Sequence, residues 1–283
     1  MPTCSVVIIS YNGKEFLKKC LSVVYKSSVK PPQVVVVDDF SSDGTGQMIK
    51  VEFPDVEYIR NEENLGPTVS RNKGAQIVKG DYILFLDNDI LVKEDSLKIL
   101  SEFLVNNLKA GAVGAKIIPA GNNKMWWNAG WDMNHFRQSA GYLTGFLLKI
   151  FPNSEFLKKL SMKFILNYWD YDEILKVDWV IEGCFMVRKN IFNQVGGFDG
   201  NFFMGHEGPD LCMAIRNAGY EIYFDPKAQV NDMESHTYDS LRRRFWLLRG
   251  EYYFYKKHYF YLKSNPVLYF IGRIIAGLFY LIA

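Results

Sequence analysis

Four cysteines in 283 residues, Cys4, Cys20, Cys184 and Cys212, are too few and too scattered for a disulfide framework. No C-x-x-C pair offers a thiolate metal site, so they read as small core residues of a reducing compartment. No basic segment precedes the strand-like stretch Cys4 to Ser10, which is also too short for a signal h-region; the body is expected in the cytoplasm. No internal repeat is visible, which excludes a solenoid or propeller. Net charge is scarce as well: 33 Lys and Arg against 31 Asp and Glu leave +2, a balance that by itself argues neither for nor against nucleic acid, and no nucleic-acid partner is among those expected.

What is present is apolar and aromatic. The chain is 48% hydrophobic, 16% aromatic and 23% charged, which excludes a disordered or low-complexity protein. Its charge is unevenly spread. From Ser240 to Ala283 there are eight basic residues and one acidic residue, net +7, whereas the preceding 239 residues carry −5. A basic tail on a mildly acidic body points to an anionic surface as neighbour.

Residues 1–118 alternate short β-branched runs with segments of helical periodicity. Ser5 to Ile9, Val34 to Val37, Val56 to Ile59 and Tyr82 to Leu86 predict strands; Glu15 to Tyr25, Thr45 to Glu52, Thr68 to Val78 and Glu94 to Asn107 predict helices. Continuous apolar strands separated by helices imply an α/β fold with a mainly parallel sheet flanked by helices. From Ile118 to Val177 the pattern weakens around Trp126, Trp127 and Trp131, and an irregular substrate-facing insertion is expected. Regularity returns with a strand over Asp178 to Arg188, helices over Asn190 to Val195 and Pro209 to Ala218, and a strand over Glu221 to Phe224.

Ligands of open parallel sheets sit at the carboxyl ends of the strands. Here three such ends are polar: Ser10-Tyr11-Asn12, Asp38-Asp39 and Asp87-Asn88-Asp89. Asp and Asn also cap helices and make turns, which accounts for any one of these ends more easily than for all three. In Asp87-Asn88-Asp89 two carboxylates one residue apart can face one divalent cation, or one can bind metal while the other meets a ribose. Such hard oxygen ligands suit Mg²⁺ or Mn²⁺.

In this setting the chain resembles the family 2 glycosyltransferases of GT-A fold, from about residue 4 to 240. The resemblance rests on Val6 to Asn12, Val36 to Thr45, Asn64-Leu65-Gly66 with Arg71 to Gly74, and Asp87-Asn88-Asp89, in that order. Farther on, Val195 to Asp199, Phe202 to Met204 and Glu207 to Leu211 look like an acceptor-side motif, as in rhamnosyltransferase-like members. The resemblance implies a domain over 1–240, with a nucleotide-binding half at 1–118 and an acceptor-side half at 119–240. It also implies metal-assisted, inverting transfer of a sugar from a nucleoside diphosphate, UDP- or dTDP-linked as a first guess, to an acceptor hydroxyl. Ser10, Tyr11, Asn12, Asp38 or Asp39, Arg71 and Asn88 then belong with the nucleoside, Asp87 with ribose or metal, and Asp89 with the metal.

Two departures from the family pattern stand out. Many relatives read Glu-Asp-x-Asp where this chain reads Glu207-Gly208-Pro209-Asp210, and the second residue of that run takes the acceptor proton. Glycine cannot, so Glu207 becomes the expected base with Asp210 second, unless the chain is a non-catalytic sugar- or nucleotide-binding descendant. The third metal ligand, usually a histidine, falls at Asp232, with His236 four residues on; a plain surface turn is the alternative.

The extension over 241–283 carries nine aromatics between Phe245 and Tyr261, interleaved with Arg249, Lys256 and Lys257, a composition suited to a membrane–water interface. After Pro266 the chain is apolar except for Arg273. That run reaches roughly 27 Å as a helix, short of a roughly 30 Å hydrocarbon core, and its charge sits near the middle. A helix lying in or partly entering the inner face of the cell membrane is favoured over a span, with packing on the body as the alternative. Such an anchor places the enzyme beside lipid-linked or polysaccharide acceptors. Deleting the residues after Asn265 is expected to abolish sedimentation with anionic liposomes; undiminished liposome binding by the truncated chain rules the anchor out.

Overall fold

Strands rich in valine and isoleucine can be buried on both faces only where helices cover the sheet twice. In the computed structural model, which describes residues 3–120, 128–131, 135–164, 172–233 and 240–258, that is their setting. β1 (Cys4–Ser10) and β2 (Gln33–Asp38) are buried throughout, and β4 (Tyr82–Asp87) up to its last residue. β1 pairs in parallel with both, Val6 opposite Val34 and Leu84, and β3 (Glu57–Arg60) lies beyond β2. The crossovers are α1 (Lys14–Val24), α2 (Thr45–Glu52) and α3 (Gly66–Gln76), each within two residues of its expected start.

The sheet then extends with a change of direction. Its order is β3-β2-β1-β4-β10-β6-β11-β5, where β5 is Ile90–Val92, β6 Ala110–Ile118, β10 Cys184–Arg188 and β11 Glu221–Asp232; β8 (Leu175–Val177) pairs with β11. β6 and β11 run parallel to each other, whereas β5, β8 and β10 are antiparallel to their neighbours. The sheet is therefore mixed and mostly parallel. β11 runs past the expected end at Phe224, with a register shift between Asp225 and Gln229. Pro226, which has no N–H for the ladder, lies inside that shift.

Alternation along β1 divides the core into two layers. Val6 and Ile8 join Leu17, Leu21 and Val24 of α1 and Leu97, Leu100 and Leu104 of α4 (Ser96–Asn106). Val7 and Ile9 face the other way, with Phe85, Phe185, Ile191 and Phe192 of α7 (Lys189–Gln194), and Leu211 and Ile215 of α8 (Glu207–Asn217). On that second face α3 presses close to the sheet: a Cβ on Gly74 would overlap Val7 and come within 3.1 Å of Val37. One turn earlier on the same face stands Arg71, which this close packing brings over the ends of β1 and β4.

Two expectations change. The segment after Ile118 is largely helical, with β7 (Ala129–Gly130), α5 (His135–Ile150) and α6 (Glu155–Met162), the last capped by the Ser154 hydroxyl accepting from the Leu157 N–H at 3.3 Å. Gly141 and Gly145 inside α5 dilute its periodicity. Trp126 and Trp127 lie outside the described residues. Trp131 is committed to packing: its indole N–H donates to the Met162 carbonyl and its own carbonyl accepts from Trp179. Next, the strand expected over Asp178 to Arg188 breaks at Ile181-Glu182-Gly183 into β9 (Trp179–Val180), which pairs with β7, and β10.

α9 (Ser240–His258) is docked on the body over its second half, which leaves the expectation of a membrane-facing extension untouched for its first half. Phe254 and Tyr255 are buried against Phe202 and Met213. Gly250 passes so close to the Met204 and Gly205 carbonyls that a Cβ there would overlap them. The apolar run after Pro266 lies outside the described residues.

Candidate active site

The carboxyl ends of β1, β2 and β4 meet the break before β10, the start of α8 and one end of α9 around a cleft of about 380 Å³. Of the residues expected from the sequence, Ser10, Tyr11, Asp39, Arg71, Asp87, Asn88, Asp89, Glu207 and Asp232 line it together. Asn12, Asp38 and Asp210 do not, and His236 lies outside the described residues.

Each exception has a local cause. Asn12 takes a left-handed turn (φ 48°) and ties two loops together, its N–H donating to Ser41 Oγ and its side-chain carbonyl accepting from the Ser42 N–H. Asp38 points away from the cleft into its own turn, accepting from the Ser41 N–H at 2.8 Å and the Tyr58 hydroxyl at 2.6 Å. Asp210 is engaged at both oxygens by α9, Lys257 at 2.8 Å and His258 at 2.6 Å. It holds the helix rather than serving the cleft, which removes it as a candidate base.

Among residues that do line the cleft, Asp39 has a double task. Its carboxylate accepts from Asn61 Nδ2 at 2.7 Å and from the Leu65 and Gly66 N–H groups at 2.9 and 2.8 Å. It therefore shapes the turn that starts α3 and keeps little acceptor capacity for a ligand. Ser10 accepts from Asn88 Nδ2 at 3.1 Å, and Gly13 leaves the room for that amide.

At the centre is an ion-pair relay. Arg71, 3% exposed, donates Nη2 to Asp87 at 2.8 Å and Nη1 to Glu207 at 3.2 Å. Burial works against its charge, but Asp87, Glu207 and Glu182 outweigh that and raise its pKa. Glu207 is 2% exposed, and its Oε2 has no hydrogen-bond partner among the described residues. Glu182, inside the break before β10, shares the cleft wall; burial and the neighbouring Glu207 charge raise its pKa. The sequence reading missed Glu182 because it sits in what reads as one strand, although a Glu-Gly pair inside an apolar run is a signal for a break. It also missed Arg243 and Leu247 of α9, which reach the cleft rim.

Among the described residues, the carboxylates expected to meet a cation gather at one corner. Antiparallel pairing sets Asp232 opposite Ile90 and the Met233 N–H on the Asp89 carbonyl, so Asp89 and Asp232 arrive beside each other, next to Asp87. Among the described residues no group of three or more His, Cys, Asp or Glu side chains is disposed to hold an ion by itself. That donor set fits Mg²⁺ or Mn²⁺, which take one or two carboxylates and complete their shells with water and phosphate oxygens.

A mixed sheet with this cleft at its strand ends is the GT-A fold of glycosyltransferases. The family model for glycosyl transferase family 2 matches residues 5–165, more than half of the chain, and the chain belongs to that family. Among curated relatives, an N-acetylglucosaminyl-diphospho-decaprenol L-rhamnosyltransferase of Mycobacterium tuberculosis is 25% identical over 251 residues, covering 82% of this chain and 76% of that one. Glycosyltransferase GlyA of Streptococcus pneumoniae is 32% identical over 114 residues, 39% of this chain and 16% of that much longer one. Among solved structures, GalNAc-T7 with UDP, GalNAc and Mn²⁺ superposes with a TM-score of 0.61 at 19% identity, over 82% of this chain and 44% of that one. Mannosyltransferase PcManGT from Pyrobaculum calidifontis with GDP-Man and Mn²⁺ gives 0.57 at 17% identity, over 83% and 58%. The chain thus spans about half the length of these solved transferases.

Two measurements test the site's electrostatics. Arg71→Met strands Asp87 and a buried Glu207, and is expected to lower unfolding free energy by about 3–5 kcal/mol in urea titrations, against less than about 1 for the exposed Arg60→Met. Burial against Phe254 pulls the His206 imidazole from 6.5 down to about 4. Between those values the unfolded chain binds a proton that the folded chain refuses, so stability falls as pH drops through that window. His206→Asn, which tolerates the left-handed φ of 70°, is expected to flatten the fall in urea midpoint between pH 7 and pH 4.

Proposed function

We propose that this chain transfers a sugar from a nucleoside-diphosphate donor to an acceptor hydroxyl, with inversion at the anomeric carbon and with Mg²⁺ or Mn²⁺ as cofactor. The observation that carries this is that one cleft is lined both by the Asp87-Asn88-Asp89 corner and by the carboxylates of Glu207 and Glu182. Inversion needs an acceptor oxygen, deprotonated on one side of the sugar, in line with a leaving group held on the other.

Tyr11 offers a ring for the base and Ser10 and Asp39 flank it. Asp87 meets ribose or metal, and Asp89 with Asp232 holds the ion. When bound, the ion neutralises charge on the departing diphosphate. Arg243 at the rim adds a cation near the same leaving group. Arg71 keeps Asp87 and Glu207 at fixed separation, so both walls of the cleft hold their geometry without reorganising. UDP- or dTDP-linked sugars remain the first donors to try; the solved transferases above were crystallised with UDP or GDP-Man.

A lipid-linked or polysaccharide acceptor is supported by the rhamnosyltransferase relative, whose name specifies a diphospho-decaprenol substrate. Peripheral attachment at the cytoplasmic face of the membrane fits two exposed apolar stripes. Leu241, Phe245, Leu248 and Tyr252 recur at helical spacing among the arginines of α9, and Leu143, Phe146 and Ile150 do so on α5. No helix among the described residues is long and apolar enough to cross a membrane.

A panel of UDP-, dTDP- and GDP-sugars with MnCl₂, assayed for release of nucleoside diphosphate, tests the reading. Release is expected for at least one donor. Asp89→Ala should reduce it by at least about 10²-fold and remove the Mn²⁺ dependence of UDP binding in calorimetry. Binding without release in the wild type would make the chain a non-catalytic sugar-nucleotide binder, and no binding at all would refute the proposal.

A further inference from the structure

Three carboxylates stand near the acceptor side of the cleft, and their surroundings divide the work. Asp210 spends both oxygens on Lys257 and His258. Glu207 is locked inside the protein on Arg71, and protonating it would break an ion pair that has no water to replace it. Glu182 is the remaining one. It lines the cleft, is partly exposed, and no side-chain donor among the described residues reaches it.

We propose that Glu182 is the general base that takes the proton of the acceptor hydroxyl, and that glycine at 208 makes the space in which its carboxylate stands. This rests on the transfer reading above. A Cβ on Gly208 would fall on Glu182 Oε2, with Cδ at 3.1 Å and the Val180 carbonyl at 3.4 Å. Any side chain at 208 therefore displaces this carboxylate, and a carboxylate carried by residue 208 would enter the same space.

The backbone fixes Glu182 relative to the metal corner. The Ile181 N–H donates to the Asn128 carbonyl at 3.0 Å, and the Gly183 carbonyl accepts from the Asp87 N–H at 3.0 Å. Base and leaving-group corner thus hang from adjacent strands in one register, Cys184 opposite Leu86. Burial and the charge of Glu207 make the Glu182 carboxylate more basic than usual, which suits proton abstraction near neutrality. In the step, the acceptor O–H proton passes to the Glu182 carboxylate as the acceptor oxygen bonds to the anomeric carbon. The bond from that carbon to the β-phosphate oxygen breaks, its electron pair leaving on the nucleoside diphosphate.

The test uses the full chain, Mn²⁺, and the sugar nucleotide that the wild type hydrolyses fastest, with water as acceptor. Glu182→Gln should lower hydrolysis by about 10²–10⁴-fold while UDP affinity, read by calorimetry, stays within about twofold. Glu207→Gln, which still offers Arg71 an acceptor, should retain more turnover than Glu182→Gln. Glu182→Gly combined with Gly208→Asp should recover at least about tenfold over Glu182→Gln, because the carboxylate returns from the other side of the same space. Gly208→Ala alone should lower the melting temperature by at least about 2 °C, and do so far less in a Glu182→Ala background. Full hydrolysis by Glu182→Gln, or equal losses of binding and turnover, would overturn the assignment while leaving glycosyl transfer intact. Failure of the wild type to bind or hydrolyse any donor would overturn both.

Discussion

A guanidinium with almost no contact with water is the constraint on which the site depends. Arg71 reaches from α3 between the end of β4 and the start of α8, so its charge is shared by Asp87 and Glu207. Desolvating Arg71 and Glu207 is costly, and an apolar substitute of the same shape would satisfy the core at least as well. What the ion pair adds is register. It links Asp87 at the end of β4 to Glu207 at the start of α8, which lie 16 and 136 positions from Arg71 in sequence. The small residues around it serve that placement: Gly74 lets α3 settle on Val7 and Val37, and Gly66, in a left-handed turn (φ 82°), starts the helix on the Asp39 carboxylate.

The first 118 residues were legible because their signals are local. Valine runs without polar alternation identify doubly covered strands, and each polar strand end marks where a loop turns toward the cleft. The sequence reading also identified nine residues that the fold gathers. It went astray where a residue's direction depends on a partner far along the chain. Asp38 and Asp39 are neighbours in one motif, yet β2 turns one inward to Tyr58 and the other to the cleft. Asp210 looks like part of an acidic pair until α9 arrives with Lys257 and His258.

Glu182 illustrates the same limit in reverse. Between Trp179 and Cys184 the Glu182-Gly183 pair is the one local sign of a break, and residue types alone do not say what each half pairs with. The break follows from pairing: β9 is recruited by β7, β10 by β4 and β6, and the three residues between them bridge two sheets. A charged side chain in that bridge faces the cleft instead of entering a ladder. The missing side chain at Gly208 and the extra carboxylate at Glu182 are thus two views of one packing solution, visible only once both segments share space.

The crossing of Gly250 over the 204–205 turn has a further consequence. Two backbones that nearly touch leave no layer of side chains to absorb sliding, so α9 and the turn move as one body. Leu247 and Arg243 lie on the same helix, about one and two turns toward its start, at the mouth of the cleft. Seating of the helix and occupation of the mouth are therefore thermodynamically linked: a ligand that touches Arg243 tightens the helix's hold, and whatever grips the helix's outer surface alters the ligand's affinity by the same factor.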